Sequence, residues 1–357
     1  MVLTIVSFII VLGVLVFIHE FGHYITAKKS DIMVSEFALG FGPKLISKKV
    51  GETVYSIRSI PLGGFCNMVG EFPADDSMPK EEIEVYDQAK DNGRLFTQKS
   101  AFKRLAVILM GPIMNFLLAA LIFIFAFAIF GVPTSTTEKA ILGEVIPQQP
   151  AAEAGLRAND QILAINGQEI ESWEEMSQLI RNNTDQQITI RYQRDENTNT
   201  INITPVLSED GERGVIGVYP QLVRESVSIG KSISLGLSQT YQVFKMTILG
   251  FVQMFRESST EDIGGPIMIA SIIGQAARVG ILNVLNWTAI ISVNLGIINL
   301  LPFPALDGGR ILFIVIEMIR GKAVDPRKES FVHMIGFAIL MLLMLFIIYN
   351  DLMRTFF

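Results

Sequence analysis

Two histidines four positions apart, with a glutamate between them, stand in the stretch FIHEFGHYIT, residues 17–26. On a helix, positions i and i+4 share one face, so His19 and His23 can both present a ring nitrogen to one metal ion. Glu20 is close enough on the same helix to accept a proton from water at that ion. In zinc hydrolases with this spacing, zinc acidifies water and the glutamate is the general base. We therefore predict a zinc site with Glu20 as its catalytic residue.

The alternative for the same residues is a pair of buried histidines that hydrogen-bond to helix backbones. The chain has three histidines in all, and two of them stand at ligand spacing around a glutamate. The run that leads up to the motif is almost uncharged, and an ionisable residue inside an apolar span is costly enough to indicate function. A metal site is therefore the better interpretation.

A catalytic zinc site needs a third protein ligand and an open position. A metzincin would carry glycine at position 26 and histidine at position 29, but this chain has Thr26 and Lys29. The stretch NLLPFPALDGGR, residues 299–310, is the best source of the missing ligand because it interrupts an apolar segment. We predict Asp307 as this ligand, and His333 is the competing candidate.

The interruption follows from local backbone chemistry. Pro302 and Pro304 cannot donate backbone hydrogen bonds and break a helix, while Gly308 and Gly309 allow an unusual turn. Irregular backbone at membrane depth is tolerated only where it is buried in protein or lines a wet cavity. Asp307 lies on this break, which is therefore expected to be buried in protein or to line such a cavity.

The composition indicates a membrane protein with a soluble part. The 357 residues are 50% hydrophobic and 18% charged, with a mean hydropathy of +0.43, whereas soluble proteins average about 25% charged residues. A net charge of −6 and the lack of a basic stripe argue against a nucleic-acid partner. Cys66 is the only cysteine, which excludes an intramolecular disulfide and a cysteine metal cluster; we expect it to be a small apolar residue.

Four stretches are long enough to span a bilayer, which takes about 20 apolar residues. The segment 227–255 is also apolar, but lysines and glutamines recur along it, so we predict amphipathic interfacial or packing helices, with a fifth span as the alternative. The predicted order is a first transmembrane helix with HEFGH (1–30), a cytosolic, membrane-associated β-loop region (31–104), a second transmembrane helix (105–131), a PDZ domain (136–220), amphipathic extracytoplasmic helices (221–284), a third transmembrane helix with the broken LDGG segment (285–320) and a fourth transmembrane helix (331–352).

Basic residues beside the spans predict the orientation in the membrane. They gather at residues 28–29, 99–104 and 320–328, and few flank the other ends of the spans. Because basic residues favour the cytosolic side, we predict that residues 28–104 and 310–330 are cytosolic. Both termini and residues 131–284 then face outward, and the active site lies near the cytosolic side of the cell membrane.

The predicted outer segment has the pattern of a small β-rich α+β domain. The run ILGEVIPQQPAAEAGLRANDQILAINGQEI alternates apolar strands with turns at Pro150, Gly155 and Asn166-Gly167. A helix follows, with Ser172 as N-cap and Glu175 three residues later, as in a capping box. The AGL…D.I..ING signature resembles PDZ domains, which add extended peptides to a sheet edge. The alternative is a spacer that only packs.

Taken together, the motifs resemble the site-2 proteases, which are intramembrane zinc metalloproteases, and among them the bacterial RseP/RasP type. The resemblance rests on HEFGH in the first span, GPIMNF in the second, NLLPFPALDGGR in the third and one PDZ domain between the second and third. Gram-negative members carry two PDZ domains and Gram-positive members carry one. The resemblance covers nearly the whole chain.

By this resemblance, His19, His23 and Asp307 bind Zn²⁺ and Glu20 is catalytic. Asn299, Pro302 and Pro304 are implied to help bind substrate. The implied fold is a polytopic α-helical membrane protein with a membrane-associated β-loop, here residues 34–64, that pairs with extended substrate along a sheet edge on which we place Ile57. The implied substrates are single-pass membrane proteins or signal-peptide remnants, anti-sigma factors among them, cut within the lipid bilayer.

Two other functions remain open from the sequence. A metal transporter would also place histidine and aspartate inside the membrane, but it explains neither Glu20 nor a peptide-binding domain. A catalytically silent scaffold would not need every expected active-site residue.

Pro112 and Asn115 of the second span have no predicted chemistry, and we expect them to shape helix packing. Asn299 has the helix–helix contact as its alternative role.

Overall fold

The structure is a computed structural model that describes residues 1–72, 74, 78–136, 139–146, 149–208, 213–257 and 265–356. The chain divides into two compact units, one of residues 1–126 with 230–357 and one of residues 127–229. The first unit contains α1 (Val2–Lys29), β1 (Val34–Val50), β2 (Thr53–Met68), α2 (Lys80–Asp91), α3 (Ala101–Phe130), α6 (Ile229–Glu257), α7 (Pro266–Val279), α8 (Ile281–Leu300), α9 (Asp307–Arg320) and α10 (Pro326–Phe356). The second contains β3 (Val132–Thr136), β4 (Leu142–Val145), α4 (Pro150–Glu153), β5 (Gln161–Ile165), β6 (Gln168–Glu169), α5 (Trp173–Asn182), β7 (Ile188–Arg194), β8 (Asn197–Ile203), β9 (Val206–Leu207), β10 (Gly214–Val215), β11 (Val218–Pro220) and β12 (Leu222–Glu225).

Four of the described helices are long and apolar enough to cross a membrane, namely Val2–Lys29, Ala101–Phe130, Ile281–Leu300 and Pro326–Met353. Many of their large apolar side chains are exposed on the surface of the protein, as lipid-facing side chains are. Where α1 and α3 pack together, Gly22 makes the close approach possible, because any side chain there would overlap the backbone of Met110. The four predicted spans and the helical membrane fold are confirmed.

The third span is broken between α8 and α9. Leu301 and Ala305 lie in the break, and Ala305 has φ +79°, a left-handed conformation that a non-glycine residue adopts only under constraint. The two glycines that follow let the chain fold back tightly: a side chain at Gly308 would overlap the Leu301 carbonyl, and one at Gly309 would crowd the Phe303 carbonyl. The break places Asp307 at the first position of α9.

The strands β1 and β2 fold back on each other as a coiled hairpin. Residues 34–39 pair on one side with residues 64–68 and on the other with residues 54–57, which also pair with residues 46–50. The order across the sheet is therefore 46–50, 53–57, 34–39, 64–68. Residues 64–68, hereafter the edge segment, form one margin of this sheet, and no other strand of the described chain pairs with them.

This order corrects our expectation for the substrate-pairing edge. The sequence predicts the β-loop over residues 34–64, with Ile57 as an edge position. In the structure β2 continues to Met68, and Ile57 pairs with both Leu39 and Ile46, so it lies inside the sheet. The difference arises because the hairpin coils on itself, which the alternation of side chains along each strand does not reveal.

An ion-pair network fastens this hairpin to the end of α1. Glu52, in the turn between the strands, pairs with Lys28 and with Arg94, whose Nη1 lies 2.6 Å from Glu52 Oε2. Asp31 pairs with Arg94 and with Lys99. Its Oδ1 lies 2.9 Å from Arg94 Nε, and its Oδ2 lies 3.2 Å from Lys99 Nζ. The hydrogen bonds from Arg94 and Lys28 hold the pKa of Glu52 at about 2. The turn is thus fixed to the base of the helix that carries the two histidines.

The second unit has a core of its own around a four-stranded antiparallel sheet in the order β6-β5-β7-β8. Its helix α5 begins as predicted: the side chain of Ser172 accepts a hydrogen bond from Glu175 N at 3.2 Å, and Glu175 Oε2 accepts from Glu171 N. Asn166 and Gly167 both have positive φ, as the predicted turn requires. The β-rich α+β content predicted for this unit is confirmed.

Helix α6 lies against the second span. Gly236 contacts the backbone of Ile124, and Phe244 meets Phe116 edge to face with ring centroids 5.8 Å apart. The two contacts show that α6 runs along α3 in the opposite direction. The predicted placement of residues 221–284 outside the cytoplasm stays a prediction, and its segment 258–264 lies outside the described residues.

Candidate metal centre

The two histidines of HEFGH and Asp307 converge on one point. The two Nε2 atoms of His19 and His23 lie 3.2 Å apart. Asp307 Oδ2 lies 3.2 Å from His19 Nε2 and 3.3 Å from His23 Nε2. Within the described part of the chain, these three residues form the group of ligand-type side chains with atoms close enough to share an ion. His19 and His23 are buried, and Asp307 is nearly so.

This triangle fits zinc. Ligand atoms at about 2.0–2.2 Å from a tetrahedral zinc ion stand roughly 3.3 Å from one another, and the three observed separations are 3.2, 3.2 and 3.3 Å. In addition, Asp307 Oδ2 is buried without a hydrogen-bond donor among the described residues. Two neutral imidazoles and one carboxylate are ligands that zinc accepts, and an oxygen left without a donor is one that a cation can satisfy.

In each imidazole, the ring nitrogen that does not face the other ligands, Nδ1, has a partner on α3. His23 Nδ1 lies 2.9 Å from the Val107 carbonyl oxygen. Since a carbonyl can only accept, Nδ1 carries the proton and the lone pair of Nε2 faces the other two ligand atoms. His19 Nδ1 lies 3.0 Å from the side-chain amide of the fully buried Asn115. The atom at this distance is Asn115 Nδ2, and Asn115 Oδ1 is buried without a partner among the described residues. For a metal-ligating His19, Nδ1 is the protonated nitrogen, so the amide turns over to accept through its oxygen.

This contact corrects the expectation that Asn115 only shapes helix packing. The residue orients an imidazole, and Ser292 donates to its backbone carbonyl at 2.8 Å. Gly111 of the same GPIMNF stretch matters as well, because any side chain there would overlap the ring of His23. The sequence shows the motif, but which residues of one span face the histidines of another depends on helix packing.

Replacing Asn115 should weaken metal binding. We expect Asn115→Leu, which keeps the branched shape and removes the hydrogen bond, to lower zinc affinity by about 10- to 100-fold. Asn115→Asp retains an acceptor for His19 Nδ1 and should stay close to the wild-type affinity. Competition with a fluorescent chelator measures both, and Ser292→Ala is the control because it spares the side-chain amide. Wild-type affinity in Asn115→Leu would show that this contact does not orient His19.

A cavity of about 430 Å³ opens beside the triangle. Its lining brings together three parts of the chain: the helix α1 with the three HEFGH residues, the edge segment of β2, and the break before α9. Gly64 of the edge segment has no side chain, and one there would contact Glu20 Cγ and press against the Ala38 carbonyl. The strand therefore lies directly over Glu20.

In the structure, the predicted substrate-binding residues do not all line the cavity. Asn299 lines the cavity, whereas Pro302 and Pro304 do not belong to its lining. Pro302 is exposed in the break, and Pro304 packs tightly against Gly336 of α10. The contact with substrate stays a prediction for all three residues.

His333 does not lie where the third metal ligand would have to lie. Its Nδ1 accepts a hydrogen bond from the backbone nitrogen of Ala305 at 2.9 Å, so it supports the left-handed residue in the break. It does not belong to the triangle of ligand-type atoms. Of the two candidates left open by the sequence, the structure thus brings Asp307, and not His333, to the two histidines.

Comparison with known proteins identifies the family. Residues 7–343 match peptidase family M50. The chain belongs to this family, the site-2 proteases. It is a zinc metalloprotease of the membrane, with several apolar helices and a catalytic Zn²⁺.

Relatives that align over nearly their whole length support the same assignment. The zinc metalloprotease RasP of Geobacillus kaustophilus is 37% identical, with 99% of this chain and 98% of the relative aligned. The regulator of sigma-W protease RasP of Bacillus subtilis is 34% identical over 99% of both chains, and the probable protease eep of Enterococcus faecalis is 32% identical over 99% and 100%. Among solved structures, the PDZ domain of an SdrC-like protein of Listeria monocytogenes aligns with 24% of this chain and 92% of its own length, at 22% identity and a TM-score of 0.22.

Proposed function

We propose that this M50 protease cuts peptide bonds inside the transmembrane segments of other membrane proteins. The observation that carries the proposal is the joint lining of one cavity by the His19–His23–Asp307 triangle, by Glu20 and by an unpaired strand margin. A transmembrane helix hides its amides in internal hydrogen bonds. A site that cleaves it therefore needs both a hydrolytic centre and a surface that accepts extended backbone.

His19, His23 and Asp307 would hold the metal, which, when bound, supplies the Lewis acid that acidifies water and polarises the scissile carbonyl. Glu20 lines the same cavity on the next position of α1. It takes the proton from the attacking water and delivers a proton to the departing amine, the two tasks of a general acid–base residue. Asn115 and the Val107 carbonyl keep both imidazoles oriented during these steps.

The edge segment would receive the unwound substrate. Its residues 64–68 line the cavity and pair on one side only, so their free backbone groups are available to an added strand. Such pairing restores the hydrogen bonds that the substrate helix loses on unwinding, and Asn299 offers an amide for the same purpose. Substrate choice should then follow helix stability more than side-chain identity.

A series of synthetic spans tests this mechanism. Glycine costs roughly 1 kcal/mol and proline roughly 3 kcal/mol relative to alanine inside a helix, so these residues near the scissile bond lower the cost of unwinding. We expect cleavage in detergent to quicken about fivefold for each kcal/mol removed, with little change in substrate binding. The spans must have equal length and differ only in the central residue. Equal rates for central leucine, alanine and glycine would contradict the unwinding step.

The substrates we propose are single-pass membrane proteins and signal-peptide remnants. The Bacillus subtilis relative is named a regulator of sigma-W protease, which favours a membrane-bound regulator of transcription, such as an anti-sigma factor, as one substrate.

We further propose that the PDZ unit controls access by excluding substrates with bulky outer domains. Deleting residues 136–220 should then extend cleavage to untrimmed substrates, whereas a drop in cleavage of every substrate would favour peptide capture by this unit.

The proposed topology puts the PDZ unit outside and the loop that carries α2 in the cytosol, at the bacterial cell membrane. Single cysteines at the exposed positions Gln168 and Gln88, each in a Cys66→Ala background, report the two sides. An impermeant maleimide should label only position 168 in intact cells and both positions after permeabilisation. Labelling of position 88 from outside would overturn this orientation.

A further inference from the structure

Glu71 and Arg310 form an ion pair in the lining of the cavity. Glu71 comes three residues after β2, and Arg310 comes three residues after Asp307, hence on the same face of α9. The guanidinium of Arg310 pairs with the carboxylate of Glu71 and also lies over the ring of Phe72, 5.4 Å from its centroid. All three side chains belong to the cavity lining.

The burial of the pair indicates a fixed contact. The Glu71 side chain is 9% exposed and that of Arg310 is 26% exposed. Removing one partner of a buried pair is unfavourable because an uncompensated charge stays behind. An exposed pair on long side chains would exchange with water, but here the guanidinium of Arg310 also packs on the ring of Phe72.

The pair connects the two parts that a substrate strand must meet. Glu71 stands three residues beyond the edge segment, and Arg310 stands one helical turn from the proposed metal ligand Asp307. The separation between the edge segment and Asp307 sets how far a paired substrate backbone lies from the metal centre. Neither Glu71 nor Arg310 belongs to the triangle of ligand-type atoms.

We propose that the Glu71–Arg310 pair is a clamp that fixes this separation. Both are positioning residues: they hold the edge segment against α9 so that the scissile carbonyl reaches the metal centre and Glu20. The inference rests on the proposed function, since a clamp of this kind matters only if the edge segment receives substrate. A misplacement of about 1 Å in a reacting group costs up to about a hundredfold in rate.

The first test separates positioning from metal binding. Arg310→Met and Glu71→Gln should each lower kcat by about 10- to 100-fold while the zinc content stays at the wild-type level. The matched control is the pair Arg104–Glu317, which joins α3 to α9 away from the cavity with similar burial. Arg104→Met and Glu317→Gln should lower thermal stability and leave kcat near the wild-type value. Equal losses of kcat in both pairs would mean a general effect of α9 docking and would overturn the clamp.

The second test replaces the charges by a covalent link. Cysteines are placed at positions 71 and 310 while the buried Cys66 is kept, a short bismaleimide joins them, and activity is compared with the same protein before linking. A clamp predicts low kcat before linking and recovery afterwards, whereas a charge needed in the reaction would leave both forms slow. No recovery in a linked protein that still binds zinc overturns the proposal. Inactivity of the unsubstituted protein towards every span would instead count against the proposed function.

Discussion

Glu20→Gln should abolish proteolysis while the protein keeps its zinc. The substitution removes the base and leaves the triangle of His19, His23 and Asp307 intact. General acid–base catalysis contributes about 10²- to 10⁴-fold, so we expect cleavage of a transmembrane substrate to fall by at least a hundredfold. Glu20 lies under Gly64 of the edge segment, and glutamine fits the same space because it is isosteric with glutamate.

The measurement pairs a cleavage assay with zinc analysis of the same purified sample. Glu317→Gln serves as the matched control: it makes the same chemical change in a carboxylate away from the cavity lining, and it should leave kcat near the wild-type value. A Glu20→Gln protein that cleaves at a rate close to that of wild type would remove Glu20 from the mechanism. Loss of zinc in this variant would mean that Glu20 contributes to metal binding.

Asp307→Ala should lose most of the zinc that the wild-type protein retains. Three ligands hold a catalytic zinc, and the structure offers no other carboxylate or imidazole in the described ligand-type group to replace Asp307. The zinc content should fall from about one ion per chain towards none after dialysis against a weak chelator, and proteolysis should be lost with it. His19→Ala and His23→Ala should behave in the same way.

His333→Ala is the informative comparison. Because His333 accepts from Ala305 N, its loss should destabilise the break before α9 and slow cleavage without emptying the metal site. Zinc retained in Asp307→Ala and lost in His333→Ala would reverse the assignment of the third ligand. Element analysis of both variants, purified side by side, decides between these outcomes.

The parts that could be predicted from the sequence are those encoded over short distances. The HEFGH spacing, the four apolar runs and the capping of α5 by Ser172 each depend on neighbouring residues along one element. Asp307 could also be predicted as the third ligand, because two prolines and two glycines in an apolar segment mark a break with one carboxylate on it. These features are local, and the structure has them where the sequence predicts them.

The parts that could not be predicted depend on which faces of distant elements meet. The contact of Asn115 with His19 needs the rotation of α3 against α1, and the pair Glu71–Arg310 needs the β-loop docked on α9. The coiling of β1 and β2 moves the free margin from Ile57 to the edge segment. No periodicity along a single element carries that information.

The central claim is that the peptide bond is cut inside the membrane by the site between α1 and α9. Mass spectrometry of the products, from a single-span substrate reconstituted in liposomes with the zinc-loaded protein, tests it most directly. The account predicts one new pair of termini within the hydrophobic segment of the substrate, formed by wild type and absent with Glu20→Gln. Cleavage confined to the substrate's soluble flanks, or the same products from Glu20→Gln, would contradict it.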